Sequence, residues 1–277
     1  MDSAVSRPLI DIISDELWNK YYIPQYTAPI PVEVKTNYKI SICTNSMDRV
    51  ENLKQTFIQN IQDNIDYPNI EFVLLNYGSK DGINDWAKEN LSGYIEKGIV
   101  NYYQISARHY SMSHSRNLTF KLATGDIVLN VDSDHFTNKG FAFKINELAN
   151  QIPNKVVFVK SARRNRGRLG FFKKDFVALG GYDEDLIGYG FDDKDLLMRA
   201  FHSGFKIIWH GSDFCRMIEN HRPHSGNRYQ YLNWRYTQDR NAILSLLNLV
   251  RGRYVANEGR GWGRGKLIKN FKEIIKV

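Results

Sequence analysis

Apolar positions in the first half of the chain follow two patterns that alternate along the sequence. Short apolar runs predict buried strands at 38–43, 70–75, 99–105 and 127–131. Between these runs, apolar residues three or four positions apart predict helices at 50–65, 86–91 and 115–124. Strands that alternate with helices are typical of a mainly parallel sheet with helices on both faces. Ligands of such sheets bind beyond the carboxyl ends of the strands, so we expect the functional residues in the loops there.

The second half of the chain has a less regular pattern. It predicts a helix at 141–149, a strand at 156–159 and a helix that includes 196–201. Residues 1–37 are rich in Pro and Tyr, which predicts an N-terminal extension. Residues 251–277 form a basic C-terminal tail that ends in an amphipathic stretch. We expect this stretch to pack on the domain as a helix, with contact to an anionic membrane as the alternative.

Composition narrows the class of protein. The 277 residues are 42% hydrophobic, which is enough for a full core and excludes a disordered or collagen-like chain. The 38 Lys and Arg exceed the 30 Asp and Glu, and this net charge of +8 indicates an anionic partner: a nucleotide, a membrane surface or nucleic acid. The two cysteines, Cys43 and Cys215, form no disulfide framework or zinc motif. Because no apolar stretch is long enough for a signal peptide or a membrane span, we expect a cytoplasmic protein.

Two acidic residues follow the apolar run at 127–131. Asp132 and Asp134, separated by Ser133, stand directly after this predicted strand. Two carboxylates on a rigid strand end offer the hard oxygen ligands that Mg²⁺ and Mn²⁺ prefer. A solvated acidic turn that caps the next element is the alternative interpretation. The sequence therefore predicts a divalent cation site, and such a cation would neutralise a diphosphate.

Four motifs in order give the chain a resemblance to a known family. The first two predicted strands are followed by a turn with Arg49 and by the turn Tyr-Gly-Ser-Lys-Asp-Gly at 77–82. A helix that bears Arg116 and Asn117 leads through Ala-Thr-Gly-Asp at 123–126 to the Asp-Ser-Asp motif. With a later acidic motif, this order resembles the nucleotide-sugar glycosyltransferases of the GT-A fold over residues 38–224.

The resemblance implies an α/β fold of the GT-A, Rossmann-like type, with helices on both sides of the sheet. It implies a nucleotide-sugar-binding half at 38–136 and an acceptor-binding and catalytic half at 137–250. Fold analogy alone does not fix the donor sugar or the acceptor.

The later motif resembles a narrower group. Gly-Gly-Tyr at 180–182 and Tyr-Gly-Phe-Asp-Asp at 189–193 are similar to the Gly-Gly-Phe/Trp and Trp-Gly-Gly-Glu-Asp run of β1,4-galactosyltransferases and bacterial chondroitin-polymerase-like enzymes. The similarity implies that Asp193 is the general base of an inverting transfer, with Asp192, Tyr189 and Gly190 at the acceptor. Two acids in the first turn of a helix are also favoured by the helix dipole, and both interpretations can hold. The chain departs from the group at Asp192, which replaces a Glu, and at Phe191, which replaces a Gly.

The resemblance also implies metal and donor ligands. Cys-Arg-Met-Ile-Glu-Asn-His at 215–221 is similar to the family's Cys-Arg-Met-Ile-x-His, with one more residue of spacing. The implied metal ligands are Asp134, His221, Met217 and His224. Met217 could equally be a core residue, because a thioether is a poor ligand for a hard cation. The implied donor-binding residues are Thr44, Arg49, Asn76, Ser79, Arg116 and Asp132.

Together the motifs predict a metal-dependent, inverting glycosyltransferase of polysaccharide biosynthesis that moves a hexose or N-acetylhexosamine from a UDP-sugar to a glycan hydroxyl. The predicted cofactor is Mn²⁺ or Mg²⁺, and the predicted partners are a nucleotide-sugar donor and a glycan or lipid-linked glycan acceptor. The expected location is cytoplasmic, or peripheral to a membrane through the C-terminal tail. A retaining GT-A glycosyltransferase is the alternative enzyme. A nucleic-acid-binding protein that uses the basic loop 163–168 is the alternative from another class, but no nucleic-acid-binding signature is present, so we expect no nucleic acid partner.

Overall fold

The computed structural model describes residues 34–159, 168–214, 216–218, 229–231 and 233–277. The helices in these ranges are α1 (Val50–Asn64), α2 (Ile83–Glu96), α3 (Met112–Leu122), α4 (Phe141–Gln151), α5 (Lys173–Ala178), α6 (Asp192–His202) and α7 (Trp234–Val250), with a 3₁₀ turn at Ser212–Phe214. The strands are β1 (Ile40–Ser46), β2 (Ile70–Tyr77), β3 (Val100–Ile105), β4 (Ile127–Asn130), β5 (Val156–Val159), β6 (Leu169–Phe172), β7 (Lys206–Trp209), β8 (Lys266–Lys269) and β9 (Glu273–Lys276).

These strands form one sheet in the order β7-β5-β6-β4-β1-β2-β3-β8-β9. The centre, β4-β1-β2-β3, is parallel, and antiparallel pairs flank it, with β6 against β4 and β8 against β3. Ile40 of β1 is opposite both Ile70 of β2 and Ile127 of β4, so the carboxyl ends of these strands lie at the same edge. The predicted α/β fold with a mainly parallel central sheet is confirmed.

An apolar layer covers each face of the sheet. Helices α1, α2 and α4 pack on one face, and helices α3, α5, α6 and α7 pack on the other. Successive side chains of a strand point to opposite faces, so Ile42 of β1 belongs to the first layer and Cys43 to the second. The central strands are therefore buried on both sides, as their continuous apolar runs require.

The helices and strands predicted for the first half are confirmed, with differences at their ends. The helix predicted at 115–124 begins earlier because Ser111 caps it: the side-chain oxygen accepts a hydrogen bond from the backbone N–H of His114 at 3.4 Å. The hydrophobic pattern does not predict α7, because large apolar residues such as Ile243 and Leu247 are exposed while Thr237 is buried. Among the described helices, none has the length and apolar character needed to cross a membrane.

The C-terminal amphipathic stretch forms a β-hairpin, so the helix predicted for it is wrong. β8 pairs with β3 and β9 pairs with β8. The turn between them has positive φ at Asn270 (48°) and Phe271 (65°), and the Asn270 side chain accepts a hydrogen bond from the backbone N–H of Tyr102 at 2.9 Å. Leu267 is buried, which places this part of the tail in the sheet. Contact of the tail with a membrane stays a prediction.

The segment 254–264 crosses the Gly-Gly-Tyr motif on its way to the hairpin. The backbone N–H of Ala256 donates to the carbonyl of Leu179 at 3.0 Å. The Asn257 side chain donates to the carbonyls of Gly180 at 2.7 Å and Tyr182 at 2.8 Å. The motif is therefore held by residues far along the chain from it.

Candidate active site

The Asp-Ser-Asp motif lies at the carboxyl edge of the sheet, directly after β4. The backbone N–H of Val131 donates to the carbonyl of Cys43 at 2.9 Å, which extends the pairing of β1 and β4 to the motif. The buried hydroxyl of Thr44 donates to the carbonyl of Val131 at 2.8 Å. Thr44 therefore fixes the strand end that carries Asp132, and its contact with a donor stays a prediction.

Arg116 joins the two acidic motifs. This buried side chain of α3 donates through Nη1 to the carboxylate of Asp192 and, at 2.8 Å, to that of Asp193. Its Nη2 atom lies 3.4 Å from Oδ1 of Asp132. The guanidinium also lies over the ring of Tyr182, 5.4 Å from the ring centroid. The structure thus brings together four of the predicted site residues: three acids and the Arg116 guanidinium that they face.

One guanidinium cannot neutralise three carboxylates, and the pKa values of the three acids shift in different directions. Burial raises the pKa of Asp193 to about 7, with Asp192 and Asp132 adding to the rise and Arg116 opposing it. Burial also raises the pKa of Asp192, again against Arg116. At Asp132 burial is outweighed by Arg116 and His135, which lower its pKa. At neutral pH Asp132 is therefore ionised, while Asp193 can both bind and release a proton, as a general base must.

Asp192 and Asp193 form the first turn of α6, where the helix dipole favours acids. Phe191, just before them, has a φ of 71° and a ring buried in the core. This left-handed conformation suits the Gly of the resembling group, and here the buried ring holds it. The Asp193 side chain is 19% exposed and that of Asp192 is 5% exposed. Of the two acids, Asp193 is therefore the more accessible to an entering ligand.

Helix α7 holds the segment that leads to these acids. The Thr237 hydroxyl accepts a hydrogen bond from the backbone N–H of Tyr189 at 3.2 Å and lies 3.0 Å from its carbonyl oxygen. The Asn241 side chain donates to the carbonyls of Ile187 and Gly190, each at 2.9 Å. The predicted acceptor residues Tyr189 and Gly190 therefore keep their position through α7, and their contact with an acceptor stays a prediction.

Asp134 lies beside Arg49 and beside His135, which also neighbours Asp132. Its carboxylate is 3.7 Å from Nη1 of Arg49 and 3.7 Å from Nε2 of His135. The backbone N–H of Ile218 donates to the carbonyl of Asp134 at 2.8 Å, which places Met217 opposite His135. The fold thus brings part of the predicted Cys-Arg-Met-Ile motif to the Asp-Ser-Asp motif. Two other predicted metal ligands, His221 and His224, lie outside the described residues.

The acidic motif fits a hard divalent cation in the kind of ligand it offers. Mg²⁺ is commonly held by one or two carboxylates together with substrate phosphates and water, and Asp134 with Asp132 supplies such carboxylates. Within the described part of the chain, no group of three or more His, Cys, Asp or Glu side chains could hold a metal ion by itself. The diphosphate of a donor, or ligands outside the described residues, would have to complete the set.

Asn76 and Ser79 shape the loop after β2. The backbone N–H of Ser79 donates to Oδ1 of Asn76 at 2.8 Å, and Nδ2 of Asn76 donates to Oδ1 of Asn84 at 3.0 Å. The Ser79 hydroxyl accepts a hydrogen bond from the backbone N–H of Asp48 at 3.0 Å, which joins this loop to the one after β1. Asn76 is buried and its amide is used within the loop, so its contact with a nucleotide base stays a prediction.

A row of polar side chains between β1 and β4 was missed by the sequence interpretation. Asn45 accepts hydrogen bonds from the hydroxyl of Tyr110 and, at 3.4 Å, from that of Ser115. Asn45 also donates to Asn130 at 3.4 Å, and Asn130 donates to Asp132 at 2.9 Å. A signal was present, because Asn45 and Asn130 are polar residues near the carboxyl ends of strands that are otherwise mostly apolar.

The sequence model of glycosyl transferase family 2 matches residues 41–222, more than half of the chain. The chain belongs to this family. It is a glycosyltransferase, as its motifs predicted, and membership argues against the nucleic-acid-binding alternative. Arg168 of the basic loop is buried and donates to the carbonyl of Phe136 at 3.0 Å, while 163–167 lie outside the described residues.

Solved glycosyltransferases share the fold. The mannosyltransferase PcManGT from Pyrobaculum calidifontis, in complex with GDP-Man and Mn²⁺, is 16% identical, covers 87% of this chain and 72% of its own, and has a TM-score of 0.61. TarS 1-349 from S. aureus, in complex with UDP-GlcNAc, is 14% identical over 76% of this chain and 67% of its own, with a TM-score of 0.58. GalNAc-T7 with UDP, GalNAc and Mn²⁺ is 14% identical over 62% of this chain and 41% of its own, with a TM-score of 0.53. No curated protein sequence matches the chain. At these identities the structural likeness establishes the GT-A fold.

Proposed function

We propose that this family 2 glycosyltransferase is inverting and metal-dependent, and that it transfers a hexose or N-acetylhexosamine from a UDP-sugar to a hydroxyl of a glycan or lipid-linked glycan. The observation that carries the proposal is the position of Asp193. Its partly exposed carboxylate faces Asp132 across Arg116, and its pKa is raised to about 7. An acid with a pKa near the working pH is suited to take a proton from an attacking hydroxyl.

In the proposed reaction, Asp193 takes the proton of the acceptor hydroxyl while that oxygen forms a bond to the anomeric carbon. The bond from this carbon to the diphosphate breaks on the opposite side, and its electron pair leaves with the nucleoside diphosphate. Asp132 and Arg116 position the donor sugar, and Arg116 also holds Asp193 in place. Attack from the side opposite the leaving group inverts the anomeric configuration, so an α-linked donor gives a β-linked product.

We propose that Asp134 holds the divalent cation, with His221, Met217 and His224 as its further ligands. A bound cation supplies neutralisation of the negative charge that develops on the leaving diphosphate. Arg49, whose Nη1 atom is 3.7 Å from Asp134, can add a second positive charge at the same place. Mn²⁺ in the complexes of PcManGT and GalNAc-T7 supports a metal requirement.

The nucleotide is the first point to test. TarS and GalNAc-T7 were solved with UDP-GlcNAc and UDP, whereas PcManGT was solved with GDP-Man. Thermal unfolding with a panel of UDP- and GDP-sugars, with and without Mn²⁺, identifies the donor, because a ligand that binds only the folded state raises its stability. We expect a rise in melting temperature that needs both Mn²⁺ and a UDP-sugar. A rise with GDP-sugars alone would contradict the proposed donor.

The base is tested with Asp193→Asn. We expect a loss of about 10²- to 10⁴-fold in turnover with donor binding nearly unchanged, because the amide cannot accept the proton. For the unaltered enzyme, kcat/KM should fall as the pH drops below about 7, since Asp193 is then protonated. Asp185→Asn, an exposed acid of the same segment, is the control and should keep its activity. An Asp193→Asn enzyme with most of its turnover would remove Asp193 from the base role.

Product analysis separates the proposed mechanism from the retaining alternative. NMR of the product formed from an α-linked donor should show a β-linkage. An α-linkage would show that the enzyme retains configuration, whatever the role of Asp193.

A further inference from the structure

Helix α7 has an apolar side that faces away from the domain. Its buried side packs on the rest of the chain through Thr237, Asn241, Ala242 and Ser245. The opposite side exposes four large apolar side chains: Tyr236 (59% exposed), Ile243 (53%), Leu247 (46%) and Val250 (86%). They share one face at helical spacing over a length of about 20 Å. We refer to these four residues as the α7 face. A row of this kind differs from the single exposed apolar residues that are normal on a protein surface.

Arginines lie beside the α7 face and on it. Arg240 stands on the face, between Tyr236 and Ile243, and donates to the carbonyl of Asp185 at 2.9 Å. Arg235 lies beside the face, and Arg251 and Arg253 follow the end of the helix, whereas Asp239 is the one acid between Trp234 and Arg253. Tyr236 places an aromatic residue at the first end of the face. An apolar stripe with a basic rim and an aromatic residue at one end is typical of helices that lie in the interface of an anionic bilayer.

We propose that the α7 face docks this protein on the surface of an anionic phospholipid bilayer. The complementary charge favours this occupant, because each arginine at the rim attracts anionic headgroups while the apolar stripe enters the acyl boundary. A second copy of the chain fits less well. In a two-fold dimer the face would pack on itself and bring the same arginines close together.

Docking at this place would also orient the active site. On the buried side of the same helix, Thr237 and Asn241 hold Tyr189 and Gly190, which lead to Asp193. The acceptor side therefore has a fixed position relative to the α7 face, and a bilayer on that face would lie near it. This consequence for a lipid-linked acceptor rests on the proposed function, whereas the docking itself does not.

The first experiment measures co-sedimentation of the full chain with vesicles. We expect binding to vesicles of equal parts phosphatidylcholine and phosphatidylglycerol, and much weaker binding to phosphatidylcholine alone. Leu247→Glu combined with Val250→Glu should weaken binding at least about tenfold, because charges would have to enter the acyl boundary. The control, Ile65→Glu with Val177→Glu, makes the same kind of change at exposed apolar residues outside α7 and the C-terminal tail and should leave binding unchanged. Absence of binding to the anionic vesicles, or equal losses in both variants, would overturn the proposal.

A second pair of variants tests the basic rim without touching the apolar face. Arg251→Gln with Arg253→Gln should weaken binding to the anionic vesicles by about fivefold for each arginine removed. Lys35→Gln with Lys97→Gln removes the same charge from exposed residues outside α7 and the segment after it, and should change binding little. Equal effects in both variants would show attraction by net charge alone and overturn the assignment to α7.

Light scattering of the free protein tests whether a second copy of the chain covers the α7 face. We expect the same molecular mass for the unaltered chain and for the variant with Leu247→Glu and Val250→Glu. A dimer that this variant converts to a monomer would overturn the proposal and assign the α7 face to a second copy. None of these measurements depends on catalysis. The docking proposal can therefore be wrong while the proposed function is right, and the proposed function can be wrong while the docking proposal is right.

Discussion

Asp132 and Asp193 meet the same guanidinium from opposite sides of the site, but different parts of the chain hold them. Asp132 follows β4, whose pairing with β1 is complete within residues 40–131. Asp193 lies in the first turn of α6, and the segment before this helix depends on α7 and on residues 254–264. The part around Asp132, which we call the donor side after its proposed role, is therefore built by neighbouring strands of the sheet. The part around Asp193, which we call the acceptor side after its proposed role, is built by segments that come much later in the sequence.

The packing of the segment 254–264 on the Gly-Gly-Tyr motif restricts which residues the motif can contain. Gly180 and Gly181 have φ values of 72° and 70°. A Cβ at Gly180 would overlap the carbonyl oxygen of Ala256, and a Cβ at Gly181 would lie 2.7 Å from the ring of Trp262. The motif thus needs glycine for its backbone conformation and for the close approach of the later segment.

The largest effect on stability is expected where the two sides meet. Arg116→Gln removes the cation that three acids share, and we expect a loss of about 3–5 kcal/mol in the free energy of unfolding, measured with urea. Lys54→Gln is the control, because this exposed lysine also pairs with an acid, Glu51, at 2.6 Å. Its loss should stay below about 1 kcal/mol. Similar losses in the two variants would mean that the Arg116 cluster does not hold the two sides together.

A smaller effect is expected from an added methyl group on the acceptor side alone. Gly180→Ala should cost about 2–4 kcal/mol, because the new Cβ combines an unfavourable φ with an overlap. Gly259→Ala has the same φ of 72° and open space around the Cβ, so it measures the cost of the backbone conformation alone. Denaturant unfolding compares the two. If they cost the same, the contact with the later segment contributes nothing.

Asn257→Ala tests the same contact from the other direction. It leaves the buried carbonyls of Gly180 and Tyr182 without these hydrogen bonds, and we expect a loss of about 1–3 kcal/mol in the free energy of unfolding. Asn90→Ala is the control, since this side chain bonds only within its own helix, to the carbonyl of Trp86. The control should be neutral or slightly stabilising, because alanine favours helices. A neutral Asn257→Ala would assign the support of the motif to packing alone.

A pH dependence of stability also belongs to the acceptor side. The pKa of Asp193 is raised from 3.8 to about 7 in the folded state, so the folded protein binds more protons than the unfolded chain between these values. This residue therefore makes the free energy of unfolding fall as the pH rises from about 4 to about 7. Unfolding at several pH values should show a smaller fall in Asp193→Asn than in the unaltered protein. Equal slopes would contradict the raised pKa.

The contrast between neighbouring strands and distant segments explains which parts of the fold the sequence could predict. The strands and helices around the Asp-Ser-Asp motif have clear periodicity, and the parallel order places their carboxyl ends together, so that part of the fold was predicted correctly. The hairpin at β8 and β9 was predicted as a helix because Leu267, Ile268, Ile274 and Ile275 also fit a helical pattern. The decisive feature was the positive φ of Asn270 and Phe271, which residue type does not reveal.

The sequence motifs named residues that the fold brings together, but they did not predict the contacts between these residues. The motifs singled out Arg116, Asp132 and Asp193, whereas their convergence depends on contacts between residues 76 or 77 positions apart. The roles of Thr237 and Asn241 could not be predicted, because α7 has no clean amphipathic pattern on which to place them. The apolar residues that disturb this pattern are those of the α7 face.

The crossing of Gly180 by the segment 254–264 has a consequence for biosynthesis of the enzyme. During translation the donor side can assemble while later residues are still inside the ribosome. The acceptor side acquires Asn257 and Trp262 only after they emerge, so a nascent chain can pair β4 with β1 well before the Gly-Gly-Tyr motif gains its contacts with the later segment. The segment before Asp193 therefore lacks this support until residues 254–264 have been made.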